Sequence, residues 1–165
     1  LGFILLELLG RQSPLGIWLE RILGISLVFH WTGAVLASAV AAFPLFLIPA
    51  RGAFEDVDTE LEDAARLLGR SEFSVFLDVT LPLAWRGVAA GTILAFVRAL
   101  GDFGATLMVA GDIPGLTQTA ALAIYDAAQV DDRARALRLT LMVSTLAIAA
   151  LTLAQYTASK RSARP

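Results

Sequence analysis

The sequence predicts an all-α chain, a polytopic bundle of membrane-spanning helices, and three observations predict it. Of 165 residues, 57% are hydrophobic and 17% charged, with mean hydropathy +0.70, whereas an average soluble domain is about a quarter charged. Long apolar runs recur, each near the roughly 20 residues that cross a hydrocarbon core of about 30 Å. A charged segment between residues 51 and 86 interrupts them.

The first element, "LGFILLELL", is too short to cross a bilayer and too apolar for a free tail. It reads as the end of a further helix that begins before residue 1, so the expectation is an N-terminally incomplete bundle. It lacks the basic leader and small-residue cleavage site of a signal peptide. Residues 25–50, "ISLVFHWTGAVLASAVAAFPLFLIPA", carry no charge and form the first expected span. Residues 87–111 form the second, with Arg98 and Asp102 inside it, and residues 139–158 the third. Residues 1–165 are thus expected to be a single transmembrane domain.

Orientation follows from parity and loop charge. With the basic tail cytoplasmic, the 51–86 loop lies on the same side, and residues 10–24 and 112–138 lie outside. Seven basic residues (Arg51, Arg66, Arg70, Arg86, Lys160, Arg161, Arg164) are then inside and five (Arg11, Arg21, Arg133, Arg135, Arg138) outside, a weak positive-inside bias. The net charge of −2 and pI near 5.3 exclude a nucleic-acid binder, which needs a basic face. With no cysteine and a single histidine, His30, beside Trp31, no disulfide, metal site or catalytic cluster is expected, and no cofactor. "GDIPGLTQT" lacks the Lys-Ser/Thr pair of a phosphate-binding loop. It is expected to re-enter or cap the outer mouth.

The interrupting segment has its own grammar. Thr59 and Glu62 have the spacing of a capping box, and Leu61, Ala64, Ala65 and Leu68 form one apolar stripe at helical spacing. Glu62 and Arg66 sit at i,i+4. Gly69 is placed to end the helix in a left-handed conformation, Ser71 to cap a second helix running to about Val79, and Pro82 to open the next element. Paired alanines give the stripe a low profile suited to a groove on a partner. A helix lying on lipid usually carries Lys or Arg on its polar face. From Glu55 to Asp78, eight carboxylates face only two arginines, which anionic lipid repels, so protein docking is favoured.

Asp63-Ala64-Ala65, three residues, Gly69, nine residues and Val79-Thr80-Leu81-Pro82 together resemble the "EAA" loop of binding-protein-dependent ABC importer permeases, with Asp63 where Glu is usual. Residues 94–127, "LAFVRALGDFGATLMVAGDIPGLTQTAALAIYDA", resemble the molybdate branch of that family, with Asp102 again replacing Glu. The resemblance runs from residue 1 to about 160, and roughly the first third of a typical permease precedes it. It implies a MetI-like fold, a multi-pass protein of the prokaryotic inner membrane, and a translocation path built with a second permease copy. The protein would have no catalytic activity of its own. ATP hydrolysis would reside on a cytoplasmic ATPase docked on residues 51–86 through Leu61, Asp63, Ala64, Ala65, Leu68, Gly69, Leu81 and Pro82. An external oxyanion-binding protein would deliver the substrate, molybdate, with tungstate or sulfate as alternatives.

The path residues implied are Arg98, Asp102, Phe103, Gly104 and Thr106. Charges inside a span face a bundle interior or a water cavity. Arg98 and Asp102, at i,i+4, either line the anion route or form a static ion pair locking their helix to its neighbours. Phe103 is a candidate apolar gate. Thr106 offers a hydroxyl to an oxyanion, although such a residue often bonds its own backbone. Gly91 reads as a packing glycine. The reading from another class, an ion-coupled carrier or intramembrane enzyme with Asp102 as proton site, needs no cytoplasmic Ala-Ala…Gly…Leu-Pro element and is disfavoured.

Overall fold

The computed structural model describes residues 1–10, 13–23 and 27–162, and the regular elements among them are all helical. In order these are α1 (Gly2–Leu9), α2 (Pro14–Leu23), α3 (Trp31–Glu55), α4 (Thr59–Leu67), α5 (Glu72–Val75), α6 (Leu81–Leu100), α7 (Gly104–Ala110), α8 (Ala120–Gln129) and α9 (Arg133–Ser162). Arg11, Arg164 and the expected start of the first span at Ile25 lie outside the described residues.

Among the described residues, three helical stretches are long and apolar enough to cross a membrane: Trp31–Glu55, Glu72–Leu100 and Arg133–Thr152. Their bounds differ from those expected, for local reasons. The first begins at Trp31 rather than near residue 25 because Phe29 takes φ +58, a left-handed conformation that does not propagate a right-handed helix. The His30 ring then lies 2.9 Å from the Thr32 hydroxyl in the first turn. The helix continues past Ala50 to an Arg51–Glu55 ion pair of 2.7 Å. Pro44 and Pro49 stand inside it, as membrane helices tolerate.

The second stretch starts fifteen residues before the expected one. Ser71 caps α5 by accepting from the Ser74 N–H at 3.3 Å, and the chain stays helical through Pro82 by way of a π turn, Phe76–Thr80. The Leu81 N–H bonds the Phe76 carbonyl, five residues back, which shifts the register just before a residue that has no N–H to offer. At its other end, the run over residues 87–111 is not one helix. It stops at Leu100 and restarts at Gly104.

The chain divides into two compact units. In the unit formed by Leu1–Ala42 and Phe96–Ala149, α1 crosses α7 at Gly2, where a Cβ would lie 2.9 Å from the Ala105 Cα. Ala37, Ala105 and Val109 make a small core there, with Leu5 packed on it. In the unit formed by Phe43–Ala95 and Ala150–Pro165, Gly87 and Gly91 bring α6 onto α3. A Cβ on Gly91 would lie 2.5 Å from the Phe46 carbonyl oxygen. This is the small-xxx-small contact by which membrane helices approach closely. Phe54 and Phe76 stack beside it at 6.1 Å.

Candidate functional site

The interrupting segment forms a helical elbow. Asp58, in extended conformation, accepts from the Glu60 N–H at 2.9 Å and caps α4. The cap is therefore one residue earlier than expected. Thr59 is already helical, and Glu62 instead accepts from the Thr80 hydroxyl at 2.6 Å. Gly69 takes φ +81 as expected. Its N–H bonds the Arg66 carbonyl at 2.9 Å and the Arg70 N–H bonds that of Ala65 at 3.2 Å, the paired closure of a Schellman end.

Arg66 ties the elbow together. It donates to Asp63 at 2.7 Å, to Glu72 of α5 at 2.9 Å and to Glu62 at 3.4 Å. The hydrogen bonds to Glu72 and then Asp63 hold its pKa above the ordinary arginine value. Arg70 adds a 3.2 Å pair with Asp78. Exposed pairs are individually weak because water screens them, but together they join α4 to the start of the second span.

No residue of α4 is buried. Leu61 and Leu68 are exposed as the apolar stripe predicts, Leu68 by 85%. Asp63, Ala64, Gly69 and Pro82 are also exposed, while Ala65 and Leu81 are half-buried. Leu67, at 88%, and Phe73, at 73%, extend the patch. Sequence reasoning missed both: Leu67 lies on the shoulder of the stripe and Phe73 in the next helix. The elbow thus leaves several large apolar side chains open to its surroundings.

A second arrangement surrounds the break after α6. The Asp102 side chain is 4% exposed. Its Oδ1 accepts from Arg98 at 3.3 Å and its Oδ2 from the Thr106 N–H at 3.0 Å. One carboxylate thus links the Arg98 side chain in the last turn of α6 to a backbone N–H in the first turn of α7, across the break. The Thr106 hydroxyl is buried and donates to the Asp102 and Phe103 carbonyls. It is engaged by its own backbone.

Arg98, Asp102 and Gly104 line an open cavity of about 400 Å³ together with Gly2, Ala105 and Met108. Phe103 and Thr106 are not among its lining residues. Phe103 instead meets Tyr125 edge to face at 4.9 Å. Nothing lies within 4 Å of where a Gly104 Cβ would stand, so this glycine leaves room rather than allowing a close crossing. The Arg98 side chain is 42% exposed, and five N–H groups on a fixed positive charge suit an oxyanion.

The following "GDIPGLTQT" is a tight loop. The N–H groups of Leu116, Thr117 and Gln118 all reach the Ile113 carbonyl, and the buried Thr117 hydroxyl accepts from the Ile113 N–H and donates to Gly111. Gly111 and Gly115 take φ +73 and +77.

Residues 1–163 match the family described as binding-protein-dependent transport system inner membrane component. The chain is 42% identical to the molybdenum transport system permease protein ModB of Haemophilus influenzae, over 94% of this chain and 69% of that protein. Against ModB of Escherichia coli K12 the identity is also 42%, over 95% of this chain and 69% of that one. ModB of Mycobacterium tuberculosis is 41% identical over 86% of this chain and 54% of its own length. The chain therefore spans between about half and about two thirds of the length of these relatives. The resemblance read from residues 63–82 and 94–127 is borne out, and the chain belongs to the binding-protein-dependent transport system inner membrane component family.

Proposed function

We propose that this chain is part of the membrane permease of an ATP-driven molybdate importer. It lies multi-pass in a prokaryotic inner membrane, pairs with a second permease copy, receives molybdate from an external binding protein, and couples to a separate cytoplasmic ATPase. The observation that carries this reading is the elbow of α4 and α5. Its exposed Leu61, Leu67 and Leu68 offer a docking face, and Arg66 and the Glu62–Thr80 bond tie that face to the helix crossing the membrane. A push on α4 is transmitted to α6, because the π turn keeps Glu72–Leu100 continuous. Similarity to three permeases named for molybdenum transport supports the substrate.

In this reading ATP-driven approach of the two ATPase subunits draws the α4 helices together and opens the path outward, and hydrolysis resets it. Arg98 offsets the charge of the passing oxyanion while Asp102 restrains it. One exposed arginine is a weak site, as a conduit requires. The test is radiolabelled molybdate uptake into vesicles holding the complete permease, its ATPase and its binding protein. Uptake dependent on ATP and competed by tungstate but not sulfate is expected. Competition by sulfate alone moves the substrate, and uptake without ATP removes the reading. Arg98→Ala is expected to cut uptake at least tenfold, and unchanged uptake at normal membrane levels removes Arg98 from the path.

A further inference from the structure

The segment that joins the first apolar helix to the first span carries a surface that neither transport nor coupling uses. Residues 10–24 read as an outer loop, yet Pro14–Leu23 fold into α2. The Ser13 hydroxyl fixes the start, donating to the Leu8 carbonyl at 2.5 Å and accepting from the Gly16 N–H at 2.8 Å. Pro14 follows at the first helical position, where a missing N–H costs nothing. Gly16 seats the helix against the end of α1, because a Cβ there would lie 2.8 Å from the Leu9 carbonyl oxygen.

At 1.5 Å per residue, α2 is about 15 Å long, half of what crossing a hydrocarbon core requires. Leu15, Trp18 and Ile22 nevertheless share one face, at i, i+3 and i+7, and all three are exposed, Trp18 by 60%. On α1, Phe3, Ile4 and Leu8 are exposed as well, while Gly2 and Leu5 pack toward α7. A groove of about 510 Å³ joins the two helices, lined by Glu7, Leu8, Ser13, Pro14, Leu15 and Trp18. In a protein of an inner membrane family, the exposed face of an apolar helix such as α1 meets acyl chains. The groove begins on that face at Leu8 and ends on α2 at Trp18. Arg21 is exposed in the last turn of α2, where anionic headgroups attract it. A short helix with Trp on its apolar face and a basic residue beside it suits the boundary between headgroups and chains.

We propose that α2 lies in the headgroup layer of the membrane with Leu15, Trp18 and Ile22 turned to the acyl chains, and that the groove between α1 and α2 holds a phospholipid acyl chain. The indole fits this depth, since its apolar body enters the chain region while its N–H reaches headgroup oxygens. Glu7, the charged member of the lining, is exposed and stays hydrated at headgroup level.

The test uses Trp18 as a depth gauge. In the complete permease every other tryptophan, Trp31 and Trp85 included, is replaced by phenylalanine. Fluorescence is measured in vesicles of phosphatidylcholine and phosphatidylglycerol, with the phosphatidylcholine brominated either near the headgroup or near the chain end, and separately with iodide in the water. Shallow bromines are expected to quench Trp18 at least twofold and more strongly than deep ones. Stronger quenching by deep bromines overturns the interfacial placement. Quenching by iodide but by neither lipid means a helix in water, and quenching by none of the three means a protein cover such as the second permease copy; both overturn the proposal. A second reporter, Leu8→Trp in the Trp18→Phe background, reads the α1 wall of the groove, where shallow bromines are again expected to quench at least twofold. No quenching there removes the acyl chain from the groove. The reporters need no transport, so their failure is distinguishable from failure of the importer reading.

Discussion

The sharpest structural prediction concerns Gly91, where α6 meets α3. In Gly91→Ala the new Cβ lies 2.5 Å from the Phe46 carbonyl oxygen and 3.2 Å from the Pro49 ring. Ordinary contact begins near 3.4 Å, so the methyl is about 0.9 Å too close to a backbone atom. No rotamer change relieves this, because the obstacles are a main-chain oxygen and a ring fixed to the helix. The helices must separate. Overpacking of this kind costs about 1–3 kcal/mol, and removing a helix-interior glycine returns about 0.5–1 kcal/mol. A net loss of about 1 kcal/mol follows from the mid-range values, roughly fivefold in the folded population. Gly52→Ala is the control, since a Cβ there meets nothing within 4 Å. It should gain only the helix preference of alanine over glycine, about 0.5–1 kcal/mol. Thermal unfolding of the complete permease in detergent should place Gly52→Ala at or above wild type. Gly91→Ala should fall a few degrees below, at roughly 2–4 °C per kcal/mol for a chain of this size. Equal or higher stability of Gly91→Ala refutes the close approach.

Other substitutions probe the elbow, the break and the loop. Gly69→Val forces a β-branched residue to φ +81, a strain of at least about 1–2 kcal/mol. ATP hydrolysis should continue while uptake per ATP falls severalfold, and full coupling would count against the elbow. Asp102→Asn keeps an acceptor for the Thr106 N–H but drops the charge facing Arg98, whereas Asp102→Ala removes both. Unfolding should show Ala losing about 1.5–3 kcal/mol and Asn less, and equal losses would mean that the ion pair, not the helix start, is what Asp102 chiefly stabilises. The raised pKa of Asp126 has a defined sign. Its stabilisation is complete below the ordinary carboxylate range and is lost as pH rises through its raised value. The melting temperature of wild type should therefore fall with rising pH relative to Asp126→Asn, and a wild type that instead gains on Asp126→Asn as pH rises would contradict the assignment.

Much of this protein was legible residue by residue. Uncharged length announced the membrane helices, because the bilayer tests composition over a span rather than any particular contact. Gly69 announced its turn and Ser71 its cap, since φ and capping preferences act within a few residues. The i,i+4 spacing paired Arg98 with Asp102 at the observed 3.3 Å. The "EAA" spacing and the 94–127 stretch announced the family. All of these are local signals.

What the tertiary structure decided is competition among partners that a local window cannot rank. Thr59 and Asp58 both had the chemistry to cap α4, and Asp58 captured the Glu60 N–H while Glu62 turned to Thr80, eighteen residues on. The run over residues 87–111 was apolar enough for one helix, yet Asp102 bonded both sides of a break, and the break set which path candidates line the cavity. Pro82 reads as a boundary, but a π turn carried the helix through it. The Gly91 contact depends on an oxygen in another helix. Composition and short-range periodicity determined which segments are helices and which cross the membrane. Only folding could decide where those helices break and which leucines remain exposed, because these depend on distances between segments that no local pattern encodes.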